Sequence, residues 1–292
     1  ARRRARDPFP LTITKANSRA TVHRTSYLDY IGVKVYNQRG EVVGERRLLG
    51  LFTAEAYAQS VRTIPLLRLK AAHVLELSGY APGRHGSKDL MQFMEGYPRD
   101  ELFQVDPEEL LDVGTAVLHL QERRLTRLFV RRDPFERFAS ILVYLPRDRF
   151  NTGVRMRMQH ILAEAFGAES VDYTTTVSES VLARLHFIAR MPRNTALPQV
   201  AAEVLQEEMV AATRSWDDDF VDALAEQAGE EEAARLRAAY GPVIPLSFKE
   251  QYPARTAVAD IRRLDALPAD GFALNLYRPY SAEETNRRLK IY

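Results

Sequence analysis

The chain has 292 residues, 46% of them apolar and 27% charged, with a formal net charge of +2. That apolar content suits a substantial buried core and the length about two domains, and near-balanced charge argues against a chain built to hold nucleic acid nonspecifically. No cysteine is present, which excludes disulfides, thiolate catalysis and cysteine-held metals; no apolar run approaches the ~20 residues of a membrane helix, and no signal-peptide pattern stands at the front.

The one dense basic run, Arg2, Arg3, Arg4 and Arg6, reads as a solvated end in preference to a nucleic-acid arm. Extended chain follows, with Leu11, Ile13 and Ala16 in a short stretch. Tyr27, Asp29, Ile31, Val33 and Val35 then alternate with Leu28, Tyr30, Gly32, Lys34 and Tyr36. Both sets hold apolar residues, so both faces of this strand are predicted to be at least partly covered. The turn Asn37-Gln38-Arg39-Gly40 and the run 42–52 complete a hairpin. Ile64, Leu67, Ala71, Val74 and Leu75 share one helical face, with Gly79 as a stop. A shorter helix over 87–95 is expected to open on Ser87 as its cap.

The middle of the chain has the clearest order. Residues 102–105 read as a short strand. Asp106 then caps a helix with Pro107 in its first position and Leu110, Val113, Val117 and Leu120 on one face. A strand over 125–131, the turn Asp133-Pro134-Phe135-Glu136 and an apolar return strand over 138–145 follow. Asn151 or Thr152 caps the next helix, which carries Val154, Met158, Ile161, Leu162, Ala165 and Phe166 on one face and ends at Gly167. Residues 171–177 and 181–191 are two more strands. The second sets an apolar row of Val181, Ala183, Leu185, Phe187 and Ala189 against a polar row of Arg184, His186 and Arg190. The order is βαββαβ with one added strand, the ferredoxin-like split βαβ pattern. It predicts an antiparallel sheet with both helices on one face and the other face free to meet a partner. The fold class is α+β.

Residues 195–267 read as helical, with Leu197, Val200, Val204 and Leu205 starting one helix and Trp216, Phe220, Val221 and Leu224 another. The acidic run Asp217-Asp218-Asp219 suits a helix start. A last short helix over 256–264 precedes strand-like sequence at 272–277 and 287–292. That pattern runs to the final residue, which reads as a boundary inside a longer chain.

Catalytic motifs are missing. There is no glycine-rich dinucleotide fingerprint, no phosphate loop and no nucleophile elbow. The six histidines (His23, His73, His85, His119, His160, His186) show no metal-ligand spacing. Pro98-Arg99-Asp100 and Pro146-Arg147-Asp148 repeat one tripeptide, and Arg132-Asp133-Pro134 is close in composition. Two readings stand side by side. One is anion recognition by the arginine fork; the favoured one is turn chemistry, in which proline fixes the backbone and aspartate caps the next amide. Tyr27, Asp29 and Tyr30 either line a small pocket or are ordinary strand residues. His186, between Arg184 and Arg190, either faces a ligand or lies on a polar strand face.

Five long strings carry a family resemblance: ITKANSRATVHR (13–24) with YLDYIGVK (27–34), GERRLLGLFTAEAY (44–57) with IPLLRLK (64–70), YPRDELFQV (97–105), RLFVRRDPFERFASILVYLPRDRFNT (127–152) and VSESVLARLHFIAR (177–190). Together they resemble the N-terminal region of the large, multidomain bacterial NAD-specific glutamate dehydrogenases. The resemblance implies a PAS-type module over 1–96, an ACT-type module over 97–192, a helical connector over 193–268 and the start of a further ACT-type module over 269–292. It implies a cytoplasmic parent enzyme that oxidatively deaminates L-glutamate with NAD, whose cofactor fold and catalytic lysines lie elsewhere. No catalytic, cofactor or metal residue is therefore carried across, and the segment alone is expected to be inactive. The implied partners are the rest of the parent chain, a second copy in a homo-oligomer and an amino-acid effector, with no nucleic acid and no membrane. Asp106, Pro107, Arg131, Arg132, Arg147 and His186 are the candidate ligand or interface residues. The ACT-type loop 104–109 holds no glycine, which makes close backbone approach to a ligand harder there and shifts the expectation from sensing toward architecture.

Overall fold

A computed structural model describes residues 9–22, 26–177, 180–268, 270–277 and 287–292. The basic run at Arg2–Arg6 lies outside the described residues. The chain divides into two compact units, one up to Thr213 and one over Arg214–Tyr292.

The first unit opens with a three-stranded antiparallel sheet in the order β1 (Leu11–Arg19), β2 (Tyr27–Tyr36), β3 (Val42–Gly50). Asn37 makes the β2–β3 turn, accepting on its side-chain oxygen from the amides of Arg39 and Glu41, while Gly40 takes a φ of 77° that a side chain would resist. Four helices follow the short α1 (Ala54–Ala58): α2 (Leu67–Leu77), α3 (His85–Gly96), α4 (Arg99–Gln104) and α5 (Pro107–Arg123). Gly79 stops α2 with a φ of 66°. Ser87 does not cap α3. It sits inside that helix, donating to the Arg84 carbonyl, and Arg84 holds the cap position.

A second, four-stranded sheet contains β4 (Arg127–Arg132), β5 (Phe138–Pro146), β6 (Ser170–Thr176) and β7 (Leu182–Arg190), with α6 (Thr152–Phe166) between β5 and β6 and α7 (Ala202–Ala212) after β7. Its order is β4-β5-β7-β6 and every pairing is antiparallel. Asn151 accepts from the Val154 amide to start α6, and Gly167 ends it with a φ of 57°.

Two expectations are corrected here. Residues 102–105 form no strand; 99–104 are helix α4, opened by Pro98 and stabilised by Asp100 and Glu101 in its first turn. The order of the second sheet is therefore ββαββα, a circular permutation of the expected βαββαβ. It keeps the ferredoxin-like spatial arrangement, but the edge strand comes first in the chain instead of last. The second correction concerns the free sheet face. One face packs on α6 and α7, with Val154, Met158, Leu162, Leu205 and Met209 against Ile141, Val143, Leu185 and Phe187. The other is covered by α2–α5, whose Leu67, Leu90, Leu102, Leu110 and Val117 pack with Leu142, Tyr144 and Leu182. All nine residues of β5 are buried as a result.

The second unit packs α8 (Trp216–Ala228), α9 (Glu230–Tyr240), α10 (Leu246–Gln251) and α11 (Ala254–Asp265) around Phe220, Leu224, Leu236, Val258 and Ile261. Ser215 and Asp218 form a capping box at the start of α8. A hairpin of β8 (Leu274–Tyr277) and β9 (Arg288–Ile291) follows, and Lys290 and Tyr292 both bond the Asp260 carboxylate of α11.

Candidate functional site

The polar groups of the first unit concentrate where α4 meets the helix-covered face of the second sheet. The α4 turn places Glu101 opposite Arg131 of β4, which donates from Nε to Oε2 at 2.7 Å and from Nη2 to Oε1 at 2.9 Å. Both side chains are buried, and this two-pronged fit is the strong form of an arginine–carboxylate pair. Burial alone would raise the Glu101 carboxyl, but the Arg131 charge outweighs it and holds the group below its ordinary range. Burial pushes the His186 imidazole of β7 below its ordinary range. The His186 Nε2 lies 2.9 Å from Ser140 Oγ and 3.9 Å from Glu101 Oε1.

A serine, a histidine and a glutamate in one cluster invite comparison with a nucleophilic triad, and the geometry rejects it. Ser140 and Glu101 approach the same ring nitrogen, whereas a working base needs its orienting acid on the opposite one. Ser140 is only 2% exposed, and Glu101 is already neutralised by Arg131. The cluster holds elements together and has no access for a substrate.

The network continues toward β1. Arg131 reaches Gln104 Oε1 at 3.4 Å, and Thr14 donates to the same oxygen at 3.3 Å. Asp133 accepts from the amides of Phe135 and Arg137 at 3.1 Å each and pairs with the Arg137 guanidinium at 2.7 Å. Arg137 also donates to Thr14 Oγ1 at 2.9 Å. One step away, Lys15 bridges Asp29 at 2.6 Å and Asp100 at 2.9 Å, and Tyr57 donates to Asp100 at 2.7 Å. Burial raises the Asp29 carboxyl despite Lys15. Lys70 caps the C-terminus of α4 by donating to the carbonyls of Leu102 at 2.8 Å, Phe103 at 3.2 Å and Val105 at 2.5 Å.

Beside this seam runs a groove of about 1320 Å³ between the first sheet and the end of β7. Thr14, Tyr30, Lys34, Glu45 and Arg47 stand on its first-sheet side, and Arg137, Arg190, Met191, Arg193 and Thr195 on the other. Glu45 binds Tyr30, Lys34 and Arg47 together. Burial pushes its carboxyl up, but these donors win and hold it at about 2. Arg190 stacks over the Tyr27 ring and stands 5.4 Å from the Phe138 ring centre.

Of the residues singled out in the sequence, Arg131 and His186 come together around Glu101. The other four are dispersed. Asp106 caps α5 through its backbone position with no side-chain bond to that helix, and Pro107 sits at its first turn. Arg132 is spent on the carbonyls of Leu197 and Pro198 at 2.7 Å each. Arg147 lies in a single 3-10 turn, and its amide donates to the Val181 carbonyl. Both Pro-Arg-Asp tripeptides open a helical turn, with Pro98 at φ −54° and Pro146 at φ −53°, so their shared sequence reflects shared turn chemistry. Tyr27 and Tyr30 both line the groove, while Asp29 belongs to the Lys15 cluster instead. Sequence reasoning missed Glu101 and Lys15, whereas Asp133 takes the amide-capping turn role favoured for it. The only local signal for those two was that each is a charged residue in or beside an otherwise apolar segment. Among the described residues no group of acids and histidines could hold a metal ion, and no helix is long and apolar enough to cross a membrane.

The family description "Glutamate dehydrogenase, ACT2 domain" matches residues 127–217, which contain the whole four-stranded sheet with α6 and α7. "Glutamate dehydrogenase, helical motif 1" matches residues 64–123, the α2–α5 layer, and "Glutamate dehydrogenase, helical motif 2" matches residues 223–267. The sequence aligns with a segment of NAD-specific glutamate dehydrogenase. It is 41% identical over 98% of its length to the NAD-specific glutamate dehydrogenase of Halomonas elongata and 35% identical over 98% to that of Pseudomonas aeruginosa. Against the Mycobacterium tuberculosis protein of the same name it is 32% identical over 85% of its length. The chain spans 18% of the first two relatives and 16% of the third.

Proposed function

We propose that this chain is a non-catalytic regulatory and assembly segment of an NAD-dependent glutamate dehydrogenase, whose reaction converts L-glutamate, NAD and water to 2-oxoglutarate, ammonia and NADH elsewhere in the parent. The observation that carries the proposal is the succession of ACT2 and helical-motif matches along 64–267, within relatives more than five times as long. The chemistry agrees with it. Glu101, Arg131, Asp133, Arg137, Lys15 and Asp100 are committed to one another across α4, β1 and β4, an arrangement that fixes elements in register. In this proposal the antiparallel sheet that opens the chain belongs to a PAS-type regulatory module, the four-stranded sheet with α6 and α7 is the ACT-type module, the helices of the second unit are a connector, and 269–292 is the start of a further ACT-type module. The partners are the rest of the parent chain and a second copy in an oligomer.

The test is glutamate-dependent NAD reduction, measured on this chain alone and on the parent enzyme carrying Glu101→Leu. The chain alone gives no turnover. The parent variant changes its oligomeric mass or its response to effectors while substrate KM stays the same. Turnover by the chain alone overturns the proposal, and so does a parent variant altered in KM with mass and regulation intact.

A further inference from the structure

We propose that the groove between the first sheet and residues 191–196 binds a small organic carboxylate, gripped by the guanidinium of Arg190 with Arg193 as the second contact. The inference goes beyond the architectural reading and does not depend on it.

Arg190 ends β7 and lines the groove. Its Nε is buried with no hydrogen-bond partner. Its ion pair is a long one: Oδ2 of Asp172 stands 3.5 Å from that Nε and is shared with Arg19, also at 3.5 Å. One carboxylate thus faces two guanidinium groups, each shaped to take a carboxylate of its own by paired bonds. Stacking on Tyr27 holds the Arg190 plane fixed. Such a preorganised fork loses little freedom on binding.

Arg193 supplies the second cation. It is exposed, lines the same groove, and makes no ion pair among the described residues. The turn that presents it is closed by the Thr195 amide donating to the Pro192 carbonyl at 3.1 Å, with Asn194 in the left-handed region at φ 63°. By contrast, Arg47 across the groove and Arg137 beside Arg190 are already occupied by Glu45 and Asp133.

The rest of the lining selects the ligand class. Tyr27, Phe135, Met191 and Pro192 offer apolar surface to an organic body, which an inorganic anion would not use. Glu136 and Glu169 also line the groove, and their charge disfavours a dense polyanion such as a polyphosphate. A compact carboxylate fits both conditions.

The experiment is calorimetric and NMR titration of this 292-residue chain with succinate, succinamide as its neutral analogue, and inorganic phosphate. Succinate binds saturably, succinamide does not, and phosphate binds roughly tenfold or more weakly. Arg193→Ala and Arg190→Gln each weaken succinate binding by roughly tenfold. Circular dichroism checks that each variant folds. Since Arg190 is packed between rings and its variant can fail that check, the exposed Arg193→Ala carries the test by itself. Absence of saturable succinate binding overturns the proposal, as does undiminished binding in Arg193→Ala, or succinamide or phosphate binding as tightly as succinate.

Discussion

Replacing Glu101 by leucine removes one half of the most enclosed ion pair in the first unit. Arg131 then keeps the Gln104 oxygen at 3.4 Å and the more distant charge of Glu109, with its guanidinium still buried. Stranding a buried charge in this way costs about 3–5 kcal/mol. With a urea slope of about 3 kcal/mol per M for a unit of this size, the unfolding midpoint falls by about 1–1.7 M. Far-UV circular dichroism is the suitable probe, because the single tryptophan, Trp216, belongs to the second unit and does not report on this one. The double variant Glu101→Leu/Arg131→Met removes both charges. It recovers most of the loss and lies within about 1.5 kcal/mol of the parent sequence, since an apolar pair of similar volume replaces an ion pair at little cost. A Glu101→Leu loss below about 1 kcal/mol would refute the reasoning, and a double variant as unstable as the single would do the same.

Other outcomes follow from the same structure. Glu45, held at about 2 against an ordinary 4.5, favours the folded state while it is ionised. Its contribution is complete above pH 4.5 and is lost as pH falls from there toward 2. In Glu45→Gln the first sheet should therefore show a flatter acid-unfolding curve over that window, and an unchanged curve would show that Glu45 is not the titrating group. Gln206 of α7 clasps the outer edge of β4, accepting from the Leu128 amide and donating to the Thr126 carbonyl at 2.8 Å each. Gln206→Leu orphans both groups, so stability drops by about 1–3 kcal/mol, and hydrogen exchange at the Leu128 amide speeds up before its neighbours in β5 are affected. A Cβ at Gly114 would stand 2.7 Å from Leu90 Cδ1 and 3.1 Å from the Phe93 ring. Since Leu90 is fully buried and cannot swing away, Gly114→Ala loses about 1–3 kcal/mol to overpacking, set against about 1 kcal/mol gained in helix propensity. A thermal melt that rises in this variant would contradict the close packing of α3 on α5.

The elements that were legible in the sequence announce themselves locally. Asn151 and Gly167 bracket α6, and Pro107 and the Leu110–Val113–Val117–Leu120 stripe define α5. Helix α4 escaped because Leu102, Phe103, Gln104 and Val105 read equally well as extended chain. What settles them as a helical turn is the Lys70 ammonium on their carbonyls, more than thirty residues earlier in the chain. The covered sheet face was visible in principle, since β5 is apolar at consecutive positions and not only alternate ones. Arg131 and His186 stood out as polar residues on strands. Their common partner Glu101 did not, because its place is set by α4 and no pattern within its own segment gives that away.

The permuted order of the second sheet bears on how it is made. In the βαββαβ arrangement the first and last strands lie side by side, so the most distant parts of the chain must meet before the sheet is complete. Here that pairing becomes the local β6–β7 pair, in which Thr176 meets Arg184, while the β4–β5 turn, which brings Arg132 directly to Ala139, is a hairpin common to both arrangements. Only the β5–β7 seam joins residues far apart in sequence. The domain therefore has a lower contact order than its unpermuted counterpart. It can assemble as two preformed hairpins that zip along one seam, a route with a smaller loop-closure cost and a faster expected rate.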